Sequence, residues 1–367
     1  MLGNDGRVDS YLTQDELTRT LLYQACTLPD AWFRSDAVAG KSDVKRLVLY
    51  VHGGLNSEAS AIERARVMGR FFTGNGCYPL FMVWKTGIME SLGNMTSEWL
   101  ALQPQRAGSL GEKLAEASDV LLEKTIGRGP ARWLWNEIKE NARFACTPNR
   151  GGDLLVTALQ NLAAAWGPKL EIHLVGHSAG GIFLGHLLEV LASRHVGGRR
   201  LTDHVAGIHL YAPACTVQFA NRYFAPHPDL MQRTWLHVLS DRQERDDHVA
   251  SVYRKSLLYF VSNALEPDLR TPVLGLERIN DPAYNGWDGS STTGEALGRW
   301  RDAVKQSGLD ARTVVVPDGR IVVAERATDS FAASHGCFDN SIAIVAGTLE
   351  RITDGELSVA VDDLRGF

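Results

Sequence analysis

The chain has 367 residues, 44% of them hydrophobic, and a formal charge of −5. That is enough apolar material for one large core or two ordinary ones. A mildly acidic balance gives no electrostatic basis for binding nucleic acid or an anionic membrane surface. The five cysteines (Cys26, Cys77, Cys146, Cys215 and Cys337) are odd in number, and none pair at C-x-x-C spacing. They read as free thiols of a reducing compartment. The N-terminal stretch MLGNDGRVDSYLTQDELTRT is acidic and polar where a secretory signal needs a basic start and an apolar stretch. No apolar run reaches the length of a membrane span. A cytoplasmic protein with no integral membrane segment is the expectation.

Short β-branched runs alternate with longer helical patterns, which predicts a mostly parallel sheet flanked by helices. Residues 45–52, KRLVLYVH, form an apolar run that stops at Gly53-Gly54 and reads as a central strand. Asn56, Ser57 and a Ser60/Glu63 capping box announce a helix carrying Ala61, Ala65, Met68 and Phe72, closed by Gly74 and Gly76. Residues 78–84 read as a second strand. Residues 88–148 break the rhythm: SEWLALQ, GEKLAEASDVLLEK and ARWLWNEIKENARF are helical in composition, with no strand. They predict a helical insertion, a cap or lid, within a single domain spanning 1–367.

Asp153 is expected to cap a helix carrying Leu155, Ala158, Leu159, Leu162 and Trp166 on one face. Residues 170–175 read as the third strand, and residues 178–193 as a helix. Residues 204–211 and 234–239 are two further strands. Residues 249–265 show a strong helix pattern, and 266–310 are the least regular part. Residues 312–316 and 320–324 read as strands joined by the turn at Pro317-Asp318-Gly319, and the last helix begins near Asn340.

Gly176-His177-Ser178-Ala179-Gly180 matches G-x-S-x-G. The pattern is weak alone, but here it directly follows a strand and opens a helix, the context a nucleophile elbow requires. The turn is so tight that its neighbours must be small, as Gly176, Ala179, Gly180 and Gly181 are. The helix N-terminus offers backbone N–H groups to a developing oxyanion. The Ala179 N–H is one expected donor. The Gly54 N–H, just past the first strand, is the other, since a glycine pair lets backbone approach a carbonyl closely. His52 is expected to brace that loop.

Of the eleven histidines, His335 in Ala332-Ala333-Ser334-His335-Gly336-Cys337-Phe338-Asp339 is late in the chain and on a loop after a strand. It is the candidate general base. His173 and His186 read as structural, and His177 as pointing away from Ser178. The orienting acid is sought in 239–247: Asp241 comes first, directly after its strand, with Asp247 the alternative acid and Glu244 and Asp246 as rivals. The plain alternative for this cluster is a solvated loop capping the next helix. Asp246-Asp247-His248 is a poor metal site, because three consecutive helical residues cannot face one ion.

VHGG at 51–54, GHSAGG at 176–181, LSD at 239–241 and SHGC at 334–337 resemble the α/β-hydrolase superfamily, and the order Ser178, Asp241, His335 is that family's order. The resemblance implies a central, mostly parallel sheet with a cap and no cofactor or metal. The chain departs from the family in placing its insert before the nucleophile strand, and in showing no clear opening strands before residue 45. The implied activity is that of a serine hydrolase cleaving a small-molecule or lipid ester. Amide, thioester and acyl-transfer chemistry on the same triad, or a catalytically silent binding protein on this scaffold, are the alternatives. The oligomeric state stays open.

Overall fold

The computed structural model describes residues 13–35, 42–53, 58–84, 119–247, 253–286, 291–325 and 329–365. Six parallel strands form the central sheet: β1 (Lys45–Val51), β2 (Cys77–Met82), β3 (Leu170–His177), β4 (Val205–Tyr211), β5 (Thr234–Leu239) and β6 (Thr313–Val316). Their spatial order is β2-β1-β3-β4-β5-β6. β1 and β3 are buried along nearly their whole length, which is why they read as continuous apolar runs rather than alternating ones. Before β1 the regular elements among the described residues are helical, with α1 at Gln14–Leu22 and α2 at Leu28–Arg34, and β1 is the first described strand.

Among the described residues, the helices that flank the sheet or join its strands include α3 (Glu58–Gly74), α4 (Arg132–Ala145), α5 (Gly151–Trp166), α6 (Gly180–Ser193), α7 (Val217–Tyr223) and α8 (Asp241–Asp246). Three more follow: α9 (Leu257–Phe260), α10 (Ser291–Ser307) and α11 (Ile342–Thr353). The result is an α/β architecture. α6 is apolar almost all round and buried, packed between β3, α4, α5 and α7. No helix among the described residues is long and apolar enough to cross a membrane.

Several expectations need correction. α3 begins at Glu58, so Ser60 sits inside its first turn rather than at a cap; Asn56 and Ser57 lie outside the described residues. α5 begins at Gly151, and Asp153 is its third residue, accepting from the Asn149 N–H at 2.8 Å. The helix expected over 249–265 is shorter. Ser256 is drawn out of helix by its N–H bond to the Glu244 carbonyl (2.7 Å), and its hydroxyl caps α9, which runs on as a π turn at Val261–Leu265.

The supposedly irregular 266–310 holds a 17-residue helix, α10. Its stripe Thr293, Ala296, Leu297 and Trp300 is diluted in sequence by Gly294 and Gly298. Residues 313–316 and 320–322 do not pair with each other. The first joins the main sheet, and the second pairs antiparallel with Ser330–Ala332 in a separate ribbon that delivers the chain to His335. Of the insert, 119–145 is described and helical; Leu92, Met95, Trp99 and Leu100 lie outside the described residues. Trp135, Ile138, Ala142 and Ala145 form its buried face, while Trp133 is exposed.

Candidate functional site

The β1–β3 register pairs Val51 with Gly176, so the two strands end side by side. The chain leaves β3 through Ser178, whose φ is +53°, the left-handed region that a residue with a Cβ enters at a cost of about 1–2 kcal/mol. Three backbone bonds hold it there. Its N–H donates to the Tyr211 carbonyl (2.8 Å), and its carbonyl accepts from Gly181 and Ala214 (3.0 Å each). The small neighbours are sterically required. A Cβ at Gly176 would lie 2.6 Å from the Leu184 Cδ1, and one at Gly180 would lie 2.3 Å from the Val51 carbonyl oxygen. A Cβ at Gly53 would stand 3.1 Å from the Ser178 Cβ, so the end of β1 adjoins the serine directly. No described residue accepts from the Ala179 N–H at the head of α6. Gly54, the other expected donor, lies outside the described residues.

His335, 157 positions later in the chain, meets Ser178: its Nε2 stands 2.9 Å from the serine Oγ. Both residues are buried. Burial, with His177 adding to it and Asp339 opposing, pushes the His335 imidazole down to about 3, so the ring is neutral at neutral pH. A neutral ring facing a hydroxyl through Nε2 is the form able to accept a proton. Its Nδ1 is buried and hydrogen-bonds to no described residue.

The carboxylates divide differently from the expectation. Asp241 does not face the imidazole. As the first residue of α8 it accepts from the Tyr259 hydroxyl and pairs with Arg245 at 2.9 Å. Asp247 closes that helix in an extended conformation, and its Oδ2 accepts the backbone N–H of His335 at 2.9 Å. Five helical residues thus separate the acid nearest the strand from the one that reaches His335. Glu244 is fully buried, and burial beside Asp247 and Asp241 pushes its carboxyl up to about 8, so it is protonated at neutral pH. Asp246 is exposed and pairs with Arg242.

A second set of residues was not anticipated from sequence. His177 faces His335 and Asp339: its Nε2 donates to the His335 carbonyl at 3.1 Å, and its Nδ1 stands 3.7 Å from Asp339. Asp339 also accepts from the Tyr50 hydroxyl (2.8 Å) and lies 3.4 Å from Arg64, whose guanidinium donates to the Asp339 carbonyl at 2.6 Å. Burial opposes charge on Asp339, but Arg64, His177 and Tyr50 outweigh it and hold the carboxyl below the usual range. An acidic residue inside the apolar run Gly336-Cys337-Phe338-Asp339 was the available signal. His52 braces its loop: Nδ1–H donates to the Gly53 carbonyl (2.6 Å), Nε2 accepts from the Trp84 N–H (3.2 Å), and burial pushes the ring down to about 4. His248 lies outside the described residues, and no group of three or more His, Cys, Asp or Glu among the described residues is arranged to hold a metal ion.

No protein-family model matches the chain, and no curated protein matches it in sequence.

Proposed function

We propose that this protein is a serine hydrolase of the α/β-hydrolase type that cleaves a carboxylic ester through an acyl-enzyme. The observation that carries this reading is a serine at a left-handed strand-to-helix turn with a neutral imidazole nitrogen 2.9 Å from its hydroxyl. Ser178 attacks the ester carbonyl as His335 Nε2 takes the hydroxyl proton. The tetrahedral oxyanion is stabilised by the Ala179 N–H, with Gly54 as the second donor. His335 returns the proton to the leaving alcohol, then activates water to release the acid. Asp247, rather than Asp241, positions the base, because among the described carboxylates it is the one that accepts the His335 backbone N–H and so fixes the loop that carries the ring.

A fully parallel sheet that begins at β1 suits a member of that superfamily with a shortened leading edge. The described part of the insert packs onto the body: the Trp135 indole donates to Glu266 (2.6 Å), which also pairs with Lys139 (2.9 Å). Amides, thioesters and acyl-transfer acceptors use the same groups, and the pocket selects among them.

The test has two parts. A fluorophosphonate probe is expected to label wild-type protein and not Ser178→Ala. A panel of p-nitrophenyl esters of rising chain length, run beside matching amides, is expected to show ester turnover abolished by the same substitution. Labelling or turnover that survives Ser178→Ala would reject the mechanism. Labelling without turnover of any ester would move the reading to amide, thioester or acyl-transfer chemistry, and neither labelling nor turnover would favour the silent scaffold.

A further inference from the structure

A cavity of about 540 Å³ opens between α4, α6 and α7, beside the helix that Ser178 introduces. That volume suits a drug-sized molecule. Its apolar wall is made by Ile182, Phe219 and Tyr223. Its polar wall is cationic: Lys139 and Arg143 come from α4, and Arg222 from α7. Glu266 lines it too, but is neutralised by Lys139 and held by the Trp135 indole. Arg143 and Arg222 lie within ion-pair distance of no carboxylate among the described residues; they rest instead on the rings of Phe144 (4.7 Å) and Tyr223 (5.1 Å). Glu140 is the remaining anion on the wall, so two unmatched guanidinium groups face one carboxylate.

His186 adds a second, independent observation. It lies on α6, is 8% exposed and lines the cavity, edge-on to Phe219 (5.2 Å) and Tyr223 (4.7 Å). No described residue hydrogen-bonds to either of its ring nitrogens, and neither nitrogen is sealed from solvent, so the ring is free to meet a molecule in the cavity. Burial, reinforced by Arg143 and Arg222, pushes the ring down to about 4. An anion seated between the two guanidinium groups would accept from His186 and cancel the charges that oppose its protonation. Planar guanidinium forks suit phosphate and carboxylate oxygens.

We propose that this cavity is a binding site for a small molecule that joins a phosphate or carboxylate group to an aromatic or apolar body, with Arg143, Arg222 and His186 receiving the anion and Phe219 and Tyr223 the body. Sequence reading took His186 as structural, and nothing in the spacing of α4 and α7 brings their arginines together. The site does not depend on hydrolysis at Ser178.

Isothermal titration of the full chain with phenyl phosphate, benzoate and benzyl alcohol tests it. Saturable binding of one or both anions, weakened by added salt, is expected, with none for the alcohol. The exposed pair Arg143→Gln and Arg222→Gln together should weaken binding about tenfold or more, with an unchanged melting temperature. Which anion binds tighter distinguishes the phosphate from the carboxylate version. The His186 ring resonances should shift on addition of the anion, and Ser178→Ala should bind as wild type does. No saturable binding of either anion, or binding that the double variant retains, would overturn the proposal. Loss of binding in Ser178→Ala would overturn its independence from the Ser178 site.

Discussion

Replacing Ser178 by glycine and, separately, by alanine removes the hydroxyl in both cases and leaves the backbone as the difference between them. At φ +53° a residue with a Cβ is strained by about 1–2 kcal/mol, and glycine is not. Glycine is disfavoured by its freer unfolded chain, by about 0.5–1 kcal/mol. The net expectation is that Ser178→Gly is more stable than Ser178→Ala by about 0.5–1 kcal/mol. An unfolding entropy of about 2.1 cal/mol/K per residue over 367 residues converts each 1 kcal/mol into about 1.3 °C of melting temperature. The gap between the variants is therefore about 1 °C, readable by paired calorimetric scans and better by urea titration. Both variants lose the His335 contact equally, so it cancels. An alanine variant more stable than the glycine variant by about 0.5–1 kcal/mol would show that the turn stores no strain, and the elbow reading would lose its physical basis.

Other substitutions read the acid, the packing and the buried histidines. If Asp247 positions His335 through its backbone N–H, Asp247→Ala should lower ester turnover by about 10²-fold, while Asp241→Ala should leave it within a few-fold; the reverse ranking in steady-state assays would return the role to Asp241. Gly180→Ala places a Cβ 2.3 Å from the Val51 carbonyl oxygen, which must force backbone apart; a loss of about 1–3 kcal/mol and reduced probe labelling of Ser178 are expected, and an unperturbed variant would refute the steric account of the motif. Asp339→Asn leaves Arg64 buried beside a neutral group and loosens the His177 contact, so destabilisation of about 3–5 kcal/mol is expected by denaturant titration, against less than about 1 kcal/mol for the exposed Asp246→Asn.

The last of these predictions concerns pH. His173, His209 and His237 lie buried on adjacent strands, all pushed down by burial, His237 to about 3. Glu171 beside His173 works against that burial, and Arg351 beside His237 works with it. Each ring is neutral when folded and takes a proton near pH 6.5 when unfolded. The unfolded chain therefore binds more protons as pH falls below that value. Stability should be full above about pH 6.5 and fall below it, by about 1.4 kcal/mol per pH unit for a histidine held as low as His237. Urea titrations at pH 7.5 and 5.5, repeated with His237→Leu, check this; the variant should show the shallower dependence.

Local signals were legible wherever the physics is local. The runs at 45–51, 170–177 and 234–239 are strands because each must be apolar to be buried in a parallel sheet. The glycines around Ser178 announce a turn whose tightness leaves no room for a Cβ. The helix at 291–307 was illegible because only one side of it is buried and its glycines blur the period. The choice between Asp241 and Asp247 was equally illegible, because it turns on where α8 begins and ends.

What the sequence determined by itself is thus most of the sheet strands, the tight turn at Ser178 and a short roster of candidate groups near it, since these follow from spacing along a few consecutive residues. Only the tertiary structure decided that His335 comes within 2.9 Å of that serine across 157 positions, that Asp247 rather than Asp241 accepts the His335 backbone N–H, and that His177 bonds the His335 carbonyl with Asp339 behind it. The reason is that strand order and register bring these residues together. Both are fixed by burial across the whole sheet, which no local stretch of sequence encodes.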